Sequence, residues 1–154
     1  MKRIGSISRR VIVTEVAVAA LMIVLITVTN LLNLSGNASR SEPRGFYRIT
    51  HEPLRHGIFV VLKLPLKQAA ALPGDTVRVT PEGSYINGRL WPHSGIPADV
   101  HSHYPFGTYV LKPGELWVLG DNPRSYDSRY FGMIPESLIS ATAEPFLTLK
   151  ENQR

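Results

Sequence analysis

The sequence has no cysteine. Disulfide scaffolds, thiol nucleophiles and cysteine-ligated zinc are therefore excluded. The absence does not identify a compartment. Charge is also sparse, at 19% of 154 residues against 44% hydrophobic. That balance excludes a disordered polyelectrolyte and leaves material for a core. Internal repeats and low-complexity tracts are missing. The length suits one domain plus an accessory segment. A net charge of +5 would suit nucleic acid, but its distribution does not. Residues 1–34 hold Lys2, Arg3, Arg9 and Arg10 against Glu15 alone, and residues 35–154 hold 13 basic and 11 acidic residues. A nucleic-acid module needs a basic face, and this excess supplies none.

What is present begins with a membrane signal. Val11 to Leu34 follows Arg9-Arg10, and Val16 to Val28 is apolar apart from Thr27. A helix rising about 1.5 Å per residue covers about 28 Å from Val16 to Leu34, enough for a bilayer core. Glu15, the single charge, sits near the headgroups. The basic cluster precedes the apolar run, so residues 1–10 are expected in the cytoplasm and residues 35–154 outside. A cleaved signal peptide is the bland alternative. Asn37-Ala38-Ser39 is a poor small-residue cleavage site, and the run is long for a signal peptide. An uncleaved anchor over 11–34 is therefore expected.

The remainder reads as β. All 12 prolines and 11 of the 12 glycines fall in residues 35–154, spread as punctuation. Between them lie short runs: Ile58–Leu64, Thr76–Thr80, Ser84–Leu90, Tyr109–Leu111, Leu116–Leu119 and Phe146–Leu149. Val, Ile, Tyr and Phe recur in these runs, and 75–79 alternates. Asn87-Gly88 is a hairpin signal. Lys67–Leu72 (KQAAAL) reads equally as a helical turn or a strand. A mainly β domain of many short strands follows.

Three stretches carry chemistry. The first is Ser39-Arg40-Ser41-Glu42-Pro43-Arg44-Gly45-Phe46-Tyr47. Pro43 fixes one φ and biases Glu42 toward extended backbone, so Ser41 sits on a stiff segment. The second is Lys67-Gln68-Ala69-Ala70-Ala71-Leu72-Pro73-Gly74-Asp75, where Pro-Gly-Asp alone means a turn and a strand start. The third, Leu119-Gly120-Asp121-Asn122-Pro123-Arg124-Ser125-Tyr126-Asp127-Ser128-Arg129-Tyr130-Phe131-Gly132, is the most specific. It is too rich in paired charge, hydroxyls and aromatics for a generic loop.

In this order behind an apolar segment, the three blocks resemble the signal peptidase I family of Ser/Lys peptidases. The closer resemblance is to its conjugative transfer branch, with a compact Ser-x-Pro-x-Gly-x-Tyr motif. The resemblance covers about 39–135. It implies a signal-peptidase-like β-barrel domain of short strands on a transmembrane helix. It implies Ser41 as nucleophile, Lys67 as general base, and Ser125 as the hydroxyl orienting the lysine. Ser39 and the backbone N–H of Ser41 become oxyanion donors. Asp127 and Arg129 become a structural ion pair, and Gly120, Asp121 and Asn122 hold turns near the site. No cofactor and no metal are implied.

The chemistry is self-consistent. A serine hydroxyl is a weak nucleophile and needs an adjacent base. Five histidines leave a Ser–His pair arithmetically open, but no Gly-x-Ser-x-Gly occurs. Lysine serves only when neutral, so its pKa of about 10.4 must come down to about 7, a cost of roughly 4 kcal/mol. Burial among apolar groups does this, and Ala69-Ala70-Ala71-Leu72 is suitably apolar. Ser41 lies seven residues past Leu34, at most about 25 Å of extended chain. That tether points to substrates at the membrane boundary: preproteins or prepilins carrying signal peptides, cut after small residues. The expected location is the bacterial inner membrane, single-pass, with the catalytic domain on the periplasmic face.

This chain departs from the family pattern at Glu42, where a hydrophobic residue is usual, at Gln68, where Arg is usual, and in a short stretch before Lys67. Lys63 is a competing lysine without the Leu-Pro-Gly-Asp spacing. His101-x-His103 lacks an acidic partner and reads as loop histidines rather than a metal site. The Asn37 sequon is incidental under a bacterial reading. A general preprotein peptidase and a non-catalytic anchored β-domain in a surface-assembly complex are the alternatives.

Overall fold

The computed structural model describes residues 9–62 and 66–149. Lys2 and Arg3 of the expected tail, and Lys63 and Leu64, lie outside the described residues. The chain divides into two compact units, Met1–Leu34 and Ser35–Arg154.

The first unit is the helix α1 (Arg9–Leu31), in which no described side chain is buried. Among the described residues it is the one helix long and apolar enough to cross a membrane. Its threonines spend their hydroxyls internally: Thr14 donates to Val11 O at 2.8 Å, Thr27 to Ile23 O at 2.8 Å and Thr29 to Ile26 O at 2.9 Å. Such back-bonding leaves no hydroxyl unsatisfied in a medium without water. The helix stops three residues short of Leu34. Asn33 takes φ 51°, the left-handed conformation that ends helices, and Leu34 opens a strand.

The second unit is mainly β, as the punctuation implied. Its elements are β1 (Leu34–Asn37), β2 (Gly45–Thr50), β3 (Phe59–Leu62), β4 (Lys67–Ala71), β5 (Thr76–Thr80), β6 (Gly83–Ile86), β7 (Arg89–Leu90), β8 (Gly107–Val110), β9 (Glu115–Leu119), α2 (Ser128–Phe131), β10 (Ile134–Pro135), a 3-10 turn (Glu136–Leu138) and β11 (Ile139–Thr148). A curled seven-stranded sheet runs β1-β2-β11-β3-β4-β9-β10, and a four-stranded sheet runs β7-β6-β5-β8. The expected hairpin is there. Asn87 and Gly88, at φ 49° and 83°, turn β6 into β7 in the doubly left-handed geometry that suits Asn-Gly.

Strand pairing decides one open reading and lengthens one expected run. Residues 67–71 form a strand, because β3 and β9 pair with them on both sides. Residues 146–148 of the 146–149 run are the end of a ten-residue strand that starts at Ile139 and crosses an irregularity between Pro145 and Leu147.

β4 and β9 are covered on both faces. Leu116, Val118 and Ala69 pack with Ile58, Val60 and Ile134. Trp117, Leu119, Ala70 and Ala71 pack with Val77, Val79, Ile86 and Leu111. Double coverage explains why these strands read as unbroken apolar runs rather than alternating ones. Asp75 anchors the end of β4: its carboxylate accepts the Leu72 N–H at 2.7 Å and Asn87 Nδ2 at 2.6 Å. Lys67, at the start of β4 opposite Val60, is thereby held on a rigid, dry element.

Candidate functional site

Lys67 is 2% exposed, and its Nζ donates to Ser125 Oγ at 2.6 Å. Fifty-eight residues separate the two. β9 brings them together, because Leu119 pairs with Gln68 and the chain then continues through Gly120 into the third block. Burial pulls the ammonium below its ordinary pKa, Asp127 and Glu42 oppose this, and Arg129 assists it. Desolvation is the largest of these influences, so the fold works toward the neutral amine that a base requires.

Gly120 is where three predicted residues meet. A Cβ on it would lie 2.2 Å from Ser125 Oγ and 2.9 Å from the Ser41 carbonyl oxygen. Only glycine lets both serines close in on the strand end. Asn122 donates its N–H to Ser41 O at 3.2 Å, and its own carbonyl accepts the Ser125 N–H at 2.8 Å. Thus Ser41, Gly120, Asn122, Ser125 and Lys67 form one cluster.

Ser41 N–H points at Ser39 Oγ, 3.4 Å away. These are the two expected oxyanion donors, side by side on one turn. The Ser41 hydroxyl is not engaged with the lysine: among the described residues no hydrogen bond joins Ser41 Oγ to Lys67 Nζ.

Asp127 and Arg129 are both fully buried and paired, with Arg129 Nη2 to Asp127 Oδ2 at 2.6 Å and Nε to Oδ1 at 2.8 Å. The remaining guanidinium hydrogens reach the carbonyls of His93, Gly95, Asn122 and Pro123 at 2.9–3.2 Å. Asp127 also accepts the Gly120 N–H at 2.8 Å and caps α2 by accepting the Arg129 N–H. A fixed five-donor fork is what holds so many acceptors in one plane. Asp121 Oδ1 meets His93 Nδ1 at 2.7 Å.

Several residues escaped the sequence reading. Asn37 Nδ2 donates to the carbonyls of Glu42 and Pro43, each at 3.2 Å, and its Oδ1 accepts the Ser39 N–H at 3.1 Å. Its sequon signal pointed elsewhere. Tyr47, 1% exposed, donates its hydroxyl to Pro43 O at 2.7 Å, and burial holds that phenol protonated. A spaced Tyr after Ser-x-Pro-x-Gly was the available signal. Glu42 and Gln68, noted only as departures, are bonded to each other at 3.0 Å. A groove of about 200 Å³ beside Asn37 and Tyr47 is lined also by Ser35, Gly36, Ile49, Val61 and Leu66. The loop histidine His103 bonds the Tyr104 carbonyl and stacks on Phe106.

Comparison with known proteins follows this geometry. The plasmid transfer protein TraF of Escherichia coli is 28% identical over 144 residues, covering 73% of this chain and 81% of that protein. The conjugal transfer protein TraF of Agrobacterium tumefaciens (strain 15955) is 37% identical over 99 residues, covering 62% and 56%. A solved signal peptidase I from Enterococcus faecalis V583 aligns at 22% identity and TM-score 0.42 over 60% of this chain and 98% of that one. The sequence pattern of the family described as "Signal peptidase, peptidase S26" matches residues 7–147, nearly the whole chain, and the protein belongs to that family.

Proposed function

We propose that this protein is a membrane-anchored serine endopeptidase that removes signal peptides from proteins of a conjugative transfer apparatus. The observation that carries the reading is the buried 2.6 Å hydrogen bond from Lys67 Nζ to Ser125 Oγ. A scaffold has no need to desolvate a lysine and hold it on a hydroxyl. Ser41 is the nucleophile, Lys67 takes its proton, and Ser39 Oγ with the Ser41 N–H stabilises the oxyanion. Hydrolysis passes through an acyl-enzyme, with Lys67 returning the proton to the leaving amine. Attack requires Ser41 Oγ to come within hydrogen-bond reach of Lys67 when substrate is bound. The groove beside Tyr47 takes the small residue before the cut.

The similarity to TraF proteins supports the conjugative assignment over general preprotein processing. α1 serves as a single inner-membrane anchor, with residues 35–154 as the periplasmic peptidase domain. Ten residues separate Leu31 from Ser41, so the tether still limits Ser41 to about 36 Å of extended chain.

The unengaged Ser41 hydroxyl favours one alternative, a non-catalytic anchored domain. One experiment separates them. Membranes carrying wild type, Ser41→Ala or Lys67→Ala are given a signal-peptide-bearing pilin precursor, and products are read by mass spectrometry. Processing by wild type and none by either variant is expected. Full processing by either variant sinks the reading. The product mass also tells whether water or an amine accepts the acyl group.

A further inference from the structure

We propose that Glu42 and Gln68 form a positioning pair that locks the residue after the nucleophile to the residue after the base and sets the charge beside Lys67. This inference rests on the peptidase reading of Ser41 and Lys67.

The geometry is specific. Glu42 is 2% exposed, and its Oε2 accepts Gln68 Nε2 at 3.0 Å across 26 residues. Gln68 is set by β3 and β9, since it pairs with Phe59 and Leu119. Glu42 is fixed by its backbone: Asn37 holds its carbonyl, and Asn37 and Tyr47 hold the carbonyl of Pro43. The loop after β9 also ties the Ser41 segment, through Asn122 N–H on the Ser41 carbonyl and the Asp121 backbone on the Glu42 carboxyl, and the Gln68 bond adds a direct link to the Lys67 strand. With it, the two reacting residues are bridged by a route of one side-chain contact. The two departures from the family pattern are therefore one feature. A hydrophobic residue and an arginine are replaced by an acid and an amide joined by one hydrogen bond.

The charge follows from the surroundings. The groups facing Glu42 are Lys67 on β4, Asp121 after β9 and Tyr47 on β2. Its one side-chain donor, Gln68, is neutral. Burial is the largest influence and pushes the carboxyl up to about 8, with Asp121 adding to it and Gln68 and Lys67 opposing it. Burial thus favours the uncharged acid, and an uncharged neighbour does not hold Lys67 as an ammonium. When Glu42 ionises, its charge draws Lys67 back toward the protonated form. The acid and the amine titrate as a coupled pair, and burial favours the uncharged form of each.

The test uses the full chain in lipid nanodiscs, as wild type, Glu42→Gln, Gln68→Leu and the swap E42Q/Q68E. Two readouts are taken. One is hydrolysis of a quenched peptide with an Ala-x-Ala cut site across pH. The other is the pH titration of the Lys67 ¹³Cε resonance, assigned by its loss in Lys67→Arg. Glu42→Gln keeps an acceptor for Gln68 but cannot ionise. It is expected to lower the Lys67 midpoint and to move the acid limb of the rate profile down with it. Gln68→Leu removes the tie and is expected to slow hydrolysis about tenfold, the worth of one hydrogen bond. The swap rebuilds the pair in reverse and is expected to recover most of that loss. The proposal is overturned if Glu42→Gln leaves the Lys67 titration unmoved. A swap no better than Gln68→Leu also overturns it. If wild type cuts no peptide in a Ser41-dependent way, the peptidase reading fails on its own, and the Lys67 titration still decides this one.

Discussion

Two buried carboxyl groups act on Lys67, and they are handled in opposite ways. Asp127 faces a guanidinium that does not release its proton, accepts two backbone N–H groups besides, and lies in a lattice of carbonyls all held by the same Arg129. Glu42 is as dry, yet its side-chain donor is an uncharged amide. Both side chains are buried. What differs is the partner: a guanidinium at Asp127 and an amide at Glu42. A buried ion pair is costly to break because the survivor is stranded. A buried carboxylic acid is costly only when pH forces it to ionise.

The largest break in this comparison comes from Arg129→Leu. It strands Asp127 and frees five carbonyls, so unfolding in denaturant is expected about 3–5 kcal/mol easier. Glu42→Gln should give the next largest effect, with the opposite sign. The folded state holds the Glu42 proton more tightly than the unfolded chain. Wild-type stability from this group therefore falls as pH rises from about 4.5 to about 8, and is level above. The variant lacks that fall and should exceed wild type above pH 8 by on the order of 3 kcal/mol in melts taken across pH. Lys67 slopes the other way: its folded pKa is depressed, so its cost is greatest at low pH and fades toward 10.5. Arg129→Lys keeps the charge and loses the fork, and is expected to cost about 1–3 kcal/mol. Arg55→Ala removes a pair of equal length, Arg55 Nη2 to Glu144 Oε1 at 2.8 Å, whose side chains are 61% and 48% exposed. Water has already claimed most of that interaction, and less than about 0.5 kcal/mol is expected.

The sequence made the third block and the β architecture legible, and the reasons are local. Alternation in 76–80 and the Asn-Gly pair are backbone chemistry written in adjacent residues. The convergence of Lys67 and Ser125 was reached through family resemblance, since nothing at either residue points to the other. Residues 67–71 were ambiguous for a physical reason: alanine favours helix, and only pairing with β3 and β9 makes a strand. Asn33 hid the helix end because a left-handed asparagine is a conformation, not a composition. Glu42 and Gln68 were each visible as oddities. That they cancel one another depends on the sheet bringing together residues 26 positions apart. Asn37 was misdirected by a short pattern with no bearing on its three hydrogen bonds.

The order of strands in the larger sheet has a consequence in time. β11 lies between β2 and β3 and pairs with both. It is the last strand among the described residues, while β2 directly follows the Ser41 segment. A chain emerging from N- to C-terminus has delivered Ser41, Lys67 and Ser125 before the strand that joins their two halves of the sheet exists. Such long-range closure is slow. The two halves of the candidate site are thus joined through the sheet only after residues 139–148 arrive.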